Sequence, residues 1–150
     1  MDISLITGGS SGVGLSIAKA LDHTVIIIGK NKKHLEETYD KLAISDPGKI
    51  IIQTFNLATA NLDDYHILFD SIKKQFGKIN NIFLNAATLG NSCPITNLSE
   101  QRWFENMQVN LNANFLLIKI LLPLIKDNII FSQEKSFDLP YCGSYNITKC

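Results

Sequence analysis

The stretch Thr7-Gly8-Gly9-Ser10-Ser11-Gly12-Val13-Gly14, TGGSSGVG, decides the fold of this 150-residue chain. It follows an apolar run, Ile3–Thr7, and leads into Gly14, Ile17, Ala18 and Leu21, which recur at helical spacing. Strand, glycine turn and helix in that order open a βαβ unit. Gly8 permits the tight turn, Gly12 lets the backbone approach a pyrophosphate without an intervening Cβ, and Gly14 lets helix and strand pack closely. The orphan N–H groups of the first helical turn then face the phosphates. An ATP-binding P-loop is disfavoured, because no Lys-Ser/Thr pair follows the glycines.

The same alternation continues along the chain. Strands are predicted at Ile3–Thr7, Thr24–Ile28, Lys49–Asn56, Asn80–Asn85 and Asn128–Ser132, and their continuous hydrophobicity predicts burial on both faces. Leu35, Tyr39 and Leu42 mark a second helix, and Tyr65, Leu68, Phe69, Ile72 and Phe76 a third, stopped at Gly77. Ser99 reads as the N-cap of a long helix whose core-facing stripe is Trp103, Met107 and Leu111, ended or kinked by Pro123. Right-handed crossovers make this an α/β fold. The expectation is one Rossmann-like, doubly wound parallel sheet of order 3-2-1-4-5 over residues 1–150.

Composition narrows the function. With 45% hydrophobic and 19% charged residues there is material for one compact core. Lys plus Arg and Asp plus Glu each number 14, so there is no basic field for nucleic acid or an anionic membrane. The longest strongly apolar stretch, Phe115 to Ile125, contains Lys119 and Pro123 and falls short of the roughly 20 residues a spanning helix needs. Cys93, Cys142 and Cys150 form no CxxC pair and lie apart from His23, His34 and His66, so no metal site is expected. The odd cysteine count, and a start at Met1 without a basic leader, predict a cytoplasmic protein with free thiols.

Near the C-terminus, Tyr145 and Lys149 stand one helical turn apart in SYNITK. Reducing a carbonyl needs a proton donor beside the oxygen that gains charge, and a group to stabilise that charge. A lysine on the same helix face favours the tyrosinate and brings the phenol nearer operating pH. Tyr145 is then the general acid.

The spacing TGxxxGxG, the segment LNAATLG from Leu84, MQVN ending at Asn110 and the YxxxK of SYNITK together resemble the short-chain dehydrogenase/reductase family. The segments GKNKKHLEETYDKL, FGKINNIFLNAATLG and MQVNLNANFLLIKILLPL look like its YciK-type bacterial branch. The resemblance implies an NAD(P)-dependent oxidoreductase acting on a small carbonyl or alcohol. It implies a catalytic set of Asn110, Ser132, Tyr145 and Lys149. Ser132, thirteen residues before Tyr145, would orient the substrate, and Asn110 would join Lys149 through a water relay. For the cofactor it implies Thr7, Gly8, Ser10, Ser11, Gly12, Val13 and Gly14, then Lys30 and Asn31, Asn56 and Leu57, Asn85, Ala86 and Ala87, with Tyr145 and Lys149.

The choice of dinucleotide rests on IIIGKNKK. An NAD site usually carries an acid at the end of strand two, which accepts from the ribose hydroxyls. Here Lys30 and Asn31 stand there, followed by Lys32 and Lys33, so NADP is expected over NAD. The competing reading is that these lysines only solvate the start of the second helix. Two positions depart from the family pattern: Asn56 stands where many relatives have Asp, and Ala87 where they have Gly.

Cys150 follows Lys149 immediately, whereas family members continue. The resemblance therefore implies a truncated chain lacking the last strands and helices, with loose catalytic geometry, an open sheet edge and a weakened homo-oligomer interface. The alternative function is an inactive remnant that binds a dinucleotide or a protein partner without turnover.

Overall fold

The computed structural model describes residues 1–44, 46–133 and 140–149; Cys150 lies outside them. Five parallel strands pair in the order β3-β2-β1-β4-β5. They are β1 (Ile3–Thr7), β2 (Thr24–Gly29), β3 (Ile50–Thr54), β4 (Ile79–Leu84) and β5 (Ile125–Phe131). The connecting helices are α1 (Gly12–Ala20), α2 (Lys32–Leu42), α3 (Leu62–Gln75), α4 (Glu100–Met107) and α5 (Ala113–Leu121), and α6 (Gly143–Lys149) follows β5. The architecture is the doubly wound sheet expected from the glycine turn and the strand pattern.

Alternation along the central strands divides the core. Leu5, Ile26 and Ile28 join a cluster with Tyr65, Leu68 and Ile72 of α3 and Leu117 and Leu121 of α5. Ile6, Val25 and Ile27 face the other way, onto Ala18 of α1 and Leu35 of α2. Leu5, Ile6, Val25 and Ile27 are fully buried, each contributing about 1.5–3 kcal/mol by removal from water. Burial on both faces does not extend to all five strands. β3 and β5 are the sheet edges, and β5 is exposed along most of its length, so its hydrophobic run was misleading.

Helix ends follow local chemistry. Asn61 and Asp64 form a capping box on α3, Asn31 caps α2 by accepting from His34 N, and Ser99 caps α4 by accepting from Arg102 N. Gly77 closes α3 at φ 72°, its N–H donating to Ile72 and Lys73 carbonyls.

The long helix from Ser99 departs from expectation. Between α4 and α5 the backbone makes a π-helical turn, Gln108–Asn112, with Ala113 N–H reaching back to Gln108 O. The extra residue rotates the following helix. Leu111 is exposed and Trp103 and Met107 are only half-buried, while Asn106, Asn110, Ala113, Leu117 and Leu121 turn inward. Pro123 sits in a 3-10 turn, Leu122–Leu124, that runs straight into β5, so the strand begins at Ile125 rather than Asn128. The helical run 100–124 is, by length and composition, apolar enough to cross a membrane, a length hidden by reading only its central apolar stretch. Here it packs along the sheet and α3.

Tyr65 packs edge-on against Phe55 with ring centroids 5.0 Å apart, and its buried hydroxyl has no partner among the described residues. Burial, and secondarily the charge of Asp64, push its phenol pKa above the usual value. Because the folded-state pKa is the higher one, the stability this group contributes is complete below about pH 10 and is lost as pH rises toward the folded value. Tyr65→Phe should raise stability by on the order of 1 kcal/mol near neutral pH and flatten the alkaline fall. Urea denaturation at pH 7 and pH 11 measures both effects.

Candidate active site

The glycine turn folds as its sequence requires at two positions. Gly8 and Gly12 have φ of 65° and 51°, a region that L side chains rarely enter. At Gly8 a Cβ would lie 2.9 Å from Ala86 Cα, so the turn also packs against the segment after β4. At Gly12 a Cβ would meet nothing, and the backbone there is open to whatever binds.

These glycines border a cavity of about 450 Å³ whose walls come from four strand ends. Gly8, Ser10, Ser11, Gly12 and Val13 form one wall. Lys30 and Asn31 after β2, Asn56 and Leu57 after β3, and Asn85, Ala86 and Ala87 after β4 form the others. Twelve positions expected from sequence thus line one cleft. Thr7 and Gly14 stand behind these walls rather than on them. Thr7 is fully buried, and its Oγ1 accepts from Asn85 N and Ala86 N, both at 2.9 Å, pinning the β4 segment to β1. Gly14 is buried behind the turn, where a Cβ would collide with the Gly8 carbonyl and sit 2.6 Å from Asn85 Nδ2.

The N-terminus of α1 is chemically distinct. Ser11 occupies its N-cap position without a side-chain hydrogen bond, whereas Asn31, Asn61 and Ser99 cap α2, α3 and α4. The first-turn N–H groups of α1 are therefore left to a ligand, and the helix dipole favours an anion there. Lys30, on the opposite wall, makes no ion pair among the described residues, while Lys32 pairs with Glu36 at 3.7 Å along α2. Together with the bare glycine backbone, these donors fit the phosphates of a dinucleotide. Asn31 shares its role, since its Oδ1 already serves the cap of α2 at 3.1 Å. Asn56 Oδ1 likewise accepts from Ala58 N at 3.0 Å, leaving its amide nitrogen and one lone pair.

Sequence reasoning missed His34, Glu105 and Val109, which also line the cleft. His34 lies one turn into α2, and Glu105 and Val109 reach the cleft because the long helix crosses its mouth. Beyond Lys30, Asn56 and Glu105 the cleft continues into an open groove of about 710 Å³.

At the other end, Asn110 sits in the π-helical turn with its amide fully engaged. Oδ1 accepts from Thr88 N at 2.8 Å, and Nδ2 donates to Thr88 O at 2.9 Å and to Thr148 Oγ1 at 3.0 Å. Its main-chain carbonyl accepts from Asn114 Nδ2 at 3.0 Å. Asn110 thus ties the segment after β4 to α6, at the residue immediately before Lys149. Tyr145 is buried and Lys149 half-buried on α6, which packs against α4 and the π-helical turn. Ser132 follows β5. Its Oγ donates to Asn85 Oδ1 at 3.0 Å and Leu84 O at 3.3 Å, so its proton serves the end of β4.

Similarity to known proteins agrees with this geometry. The model of the short chain dehydrogenase family matches residues 2–132. The uncharacterized oxidoreductase YciK of Escherichia coli K12 is 30% identical over 126 residues, covering 82% of this chain and 50% of the relative. A short chain dehydrogenase of Shigella flexneri 2a solved in complex with NADP superposes with a TM-score of 0.91 at 26% identity, covering 99% of this chain and 66% of that one. One from Escherichia coli CFT073, complexed with NADPH, gives 0.91 at 27% identity, covering 99% and 65%. The chain spans about half the length of the curated relatives it matches. With the strand order, the glycine turn and the family match all on the same residues, the chain belongs to the short chain dehydrogenase family.

Proposed function

We propose that this chain is the dinucleotide-binding and catalytic part of an oxidoreductase that transfers hydride between NADP(H) and a small carbonyl or alcohol. One observation carries the reading. The uncapped helix behind the glycine turn, Lys30 and the segment after β4 converge on one cleft, and Asn110 joins that segment to the helix bearing Tyr145 and Lys149.

Bound in this cleft, a nicotinamide dinucleotide supplies the hydride. The N–H groups of α1 and the turn would hold its diphosphate, and Lys30 would hold a 2′-phosphate by charge. Tyr145 donates its phenolic proton to the substrate oxygen as that oxygen gains charge, and the Lys149 ammonium stabilises the resulting tyrosinate. Asn110 keeps α6 in register with the cleft and stands beside the proton path to Lys149. Ser132 turns its hydroxyl from Asn85 toward the substrate oxygen, an exchange of one hydrogen bond for another.

Titration tests the cofactor preference. NADPH, followed by the fluorescence of Trp103, should bind at least tenfold more tightly than NADH. Lys30→Ala should erase most of that difference while leaving NADH binding unchanged, as loss of one charge-assisted contact of about 1.5–3 kcal/mol requires. Equal binding of the two nucleotides, with no effect of Lys30→Ala, would assign the lysine to solvation of α2. Binding without turnover on a panel of aldehydes and ketones would favour a dinucleotide-binding module over an enzyme.

A further inference from the structure

Two asparagines one turn apart reach across to α6 and form parallel rungs. Asn106 Nδ2 donates to Ser144 Oγ at 2.6 Å, and Asn110 Nδ2 to Thr148 Oγ1 at 3.0 Å. The spacing is four residues on both sides, so the rungs lie one above the other. Ser144 immediately precedes Tyr145, and Thr148 immediately precedes Lys149. The same asparagines hold the segment after β4. Asn106 Nδ2 lies 3.4 Å from Leu89 O, and Asn110 brackets both backbone groups of Thr88.

Asn106 and Ser144 are 2% and 3% exposed, so their polar atoms meet in a desolvated layer between helices. An apolar pair would fill the same space without a desolvation cost, but it would leave α6 free to rotate against α4. A buried hydrogen bond has direction, and it penalises any rotation that breaks it. Gly90 completes the arrangement. At φ 70° it brings the segment so close to Asn106 that a Cβ would lie 3.0 Å from Nδ2.

We propose that Asn106 is a positioning residue for the Tyr145–Lys149 pair. Through Ser144 it sets the rotation of α6, and through Leu89 it couples that rotation to the wall of the dinucleotide cleft. The inference rests on the oxidoreductase reading above, and it assigns this role to a side chain that touches neither substrate nor cofactor.

The test compares the full wild-type chain with Asn106→Leu, Ser144→Ala and the double variant, which removes both side-chain polar groups of the rung. Amide hydrogen exchange at residues 143–149 should be at least tenfold faster in all three, with β1 and β2 unchanged. For carbonyl reduction, kcat should fall at least tenfold while the KM for NADPH stays within twofold. Wild-type exchange in Asn106→Leu or in the double variant would overturn the proposal, because apolar packing would then suffice to order α6. A raised KM at constant kcat would also overturn it. If the wild-type chain turns nothing over, the oxidoreductase reading falls, and exchange alone decides whether Asn106 orders α6.

Discussion

Tyr145→Phe is expected to leave dinucleotide affinity within about threefold and to lower carbonyl reduction roughly 10²–10⁴-fold, the range for loss of a positioned general acid. The substitution removes one oxygen from a buried ring and leaves its volume nearly unchanged, so packing between α6 and α4 persists. The rungs that hold α6 end on Ser144 and Thr148 rather than on the Tyr145 side chain, and they are untouched. Binding is also expected to persist, because the proposed diphosphate contacts lie on the cleft wall formed by Ser10 to Val13. The proton delivered to the substrate oxygen is lost. NADPH oxidation at 340 nm and Trp103 fluorescence titration separate rate from affinity. A variant within threefold of the wild-type rate would remove Tyr145 from the mechanism.

The second large effect is expected at Gly14. A methyl group there would be driven against the Gly8 carbonyl and Asn85 Nδ2, which are themselves joined by a hydrogen bond of 3.3 Å. Neither neighbour yields easily. Gly8 belongs to a turn packed on Ala86, and Asn85 is held on its other side by Ser132. Gly14→Ala should therefore cost about 1–3 kcal/mol in stability, the usual range for overpacking. It should also weaken NADPH binding at least tenfold, because relief of the clash shifts the turn proposed to receive the diphosphate. Thermal unfolding and calorimetric titration on the same sample would show the two losses together. Wild-type affinity in a stably folded Gly14→Ala chain would show that the turn tolerates displacement and is not the diphosphate cradle.

Both effects depend on more than TGGSSGVG by itself. The motif located the turn, the helix start and the ligand class, because positive φ at Gly8 and an unencumbered backbone at Gly12 are demands that only glycine meets well. It also suggested that Thr7 and Gly14 touch the cofactor. Both also build the turn: Thr7 holds the β4 segment, and Gly14 makes room for the Gly8 carbonyl and Asn85. Contiguity in sequence does not separate residues that contact a ligand from residues that shape its support.

The π-helical turn was harder to foresee. MQVNLNANF reads as ordinary helix, and a 3.6-residue period puts Trp103, Met107 and Leu111 on one stripe. One additional residue in the turn shifts the phase of the helix beyond it, and Asn106 and Asn110 face α6. No local propensity selects this. The buried amides meet partners 38 positions away, Ser144 and Thr148.

From sequence alone came the strand order, the glycine turn and the family of this chain, because each depends on local conformational limits and on alternation that repeats every few residues. Tertiary structure alone decided which motif residues face the cleft, where the long helix changes phase, and how Asn106 and Asn110 reach Ser144 and Thr148. These depend on hydrogen bonds and contacts between distant segments, whose energies exist only once the segments have been brought together.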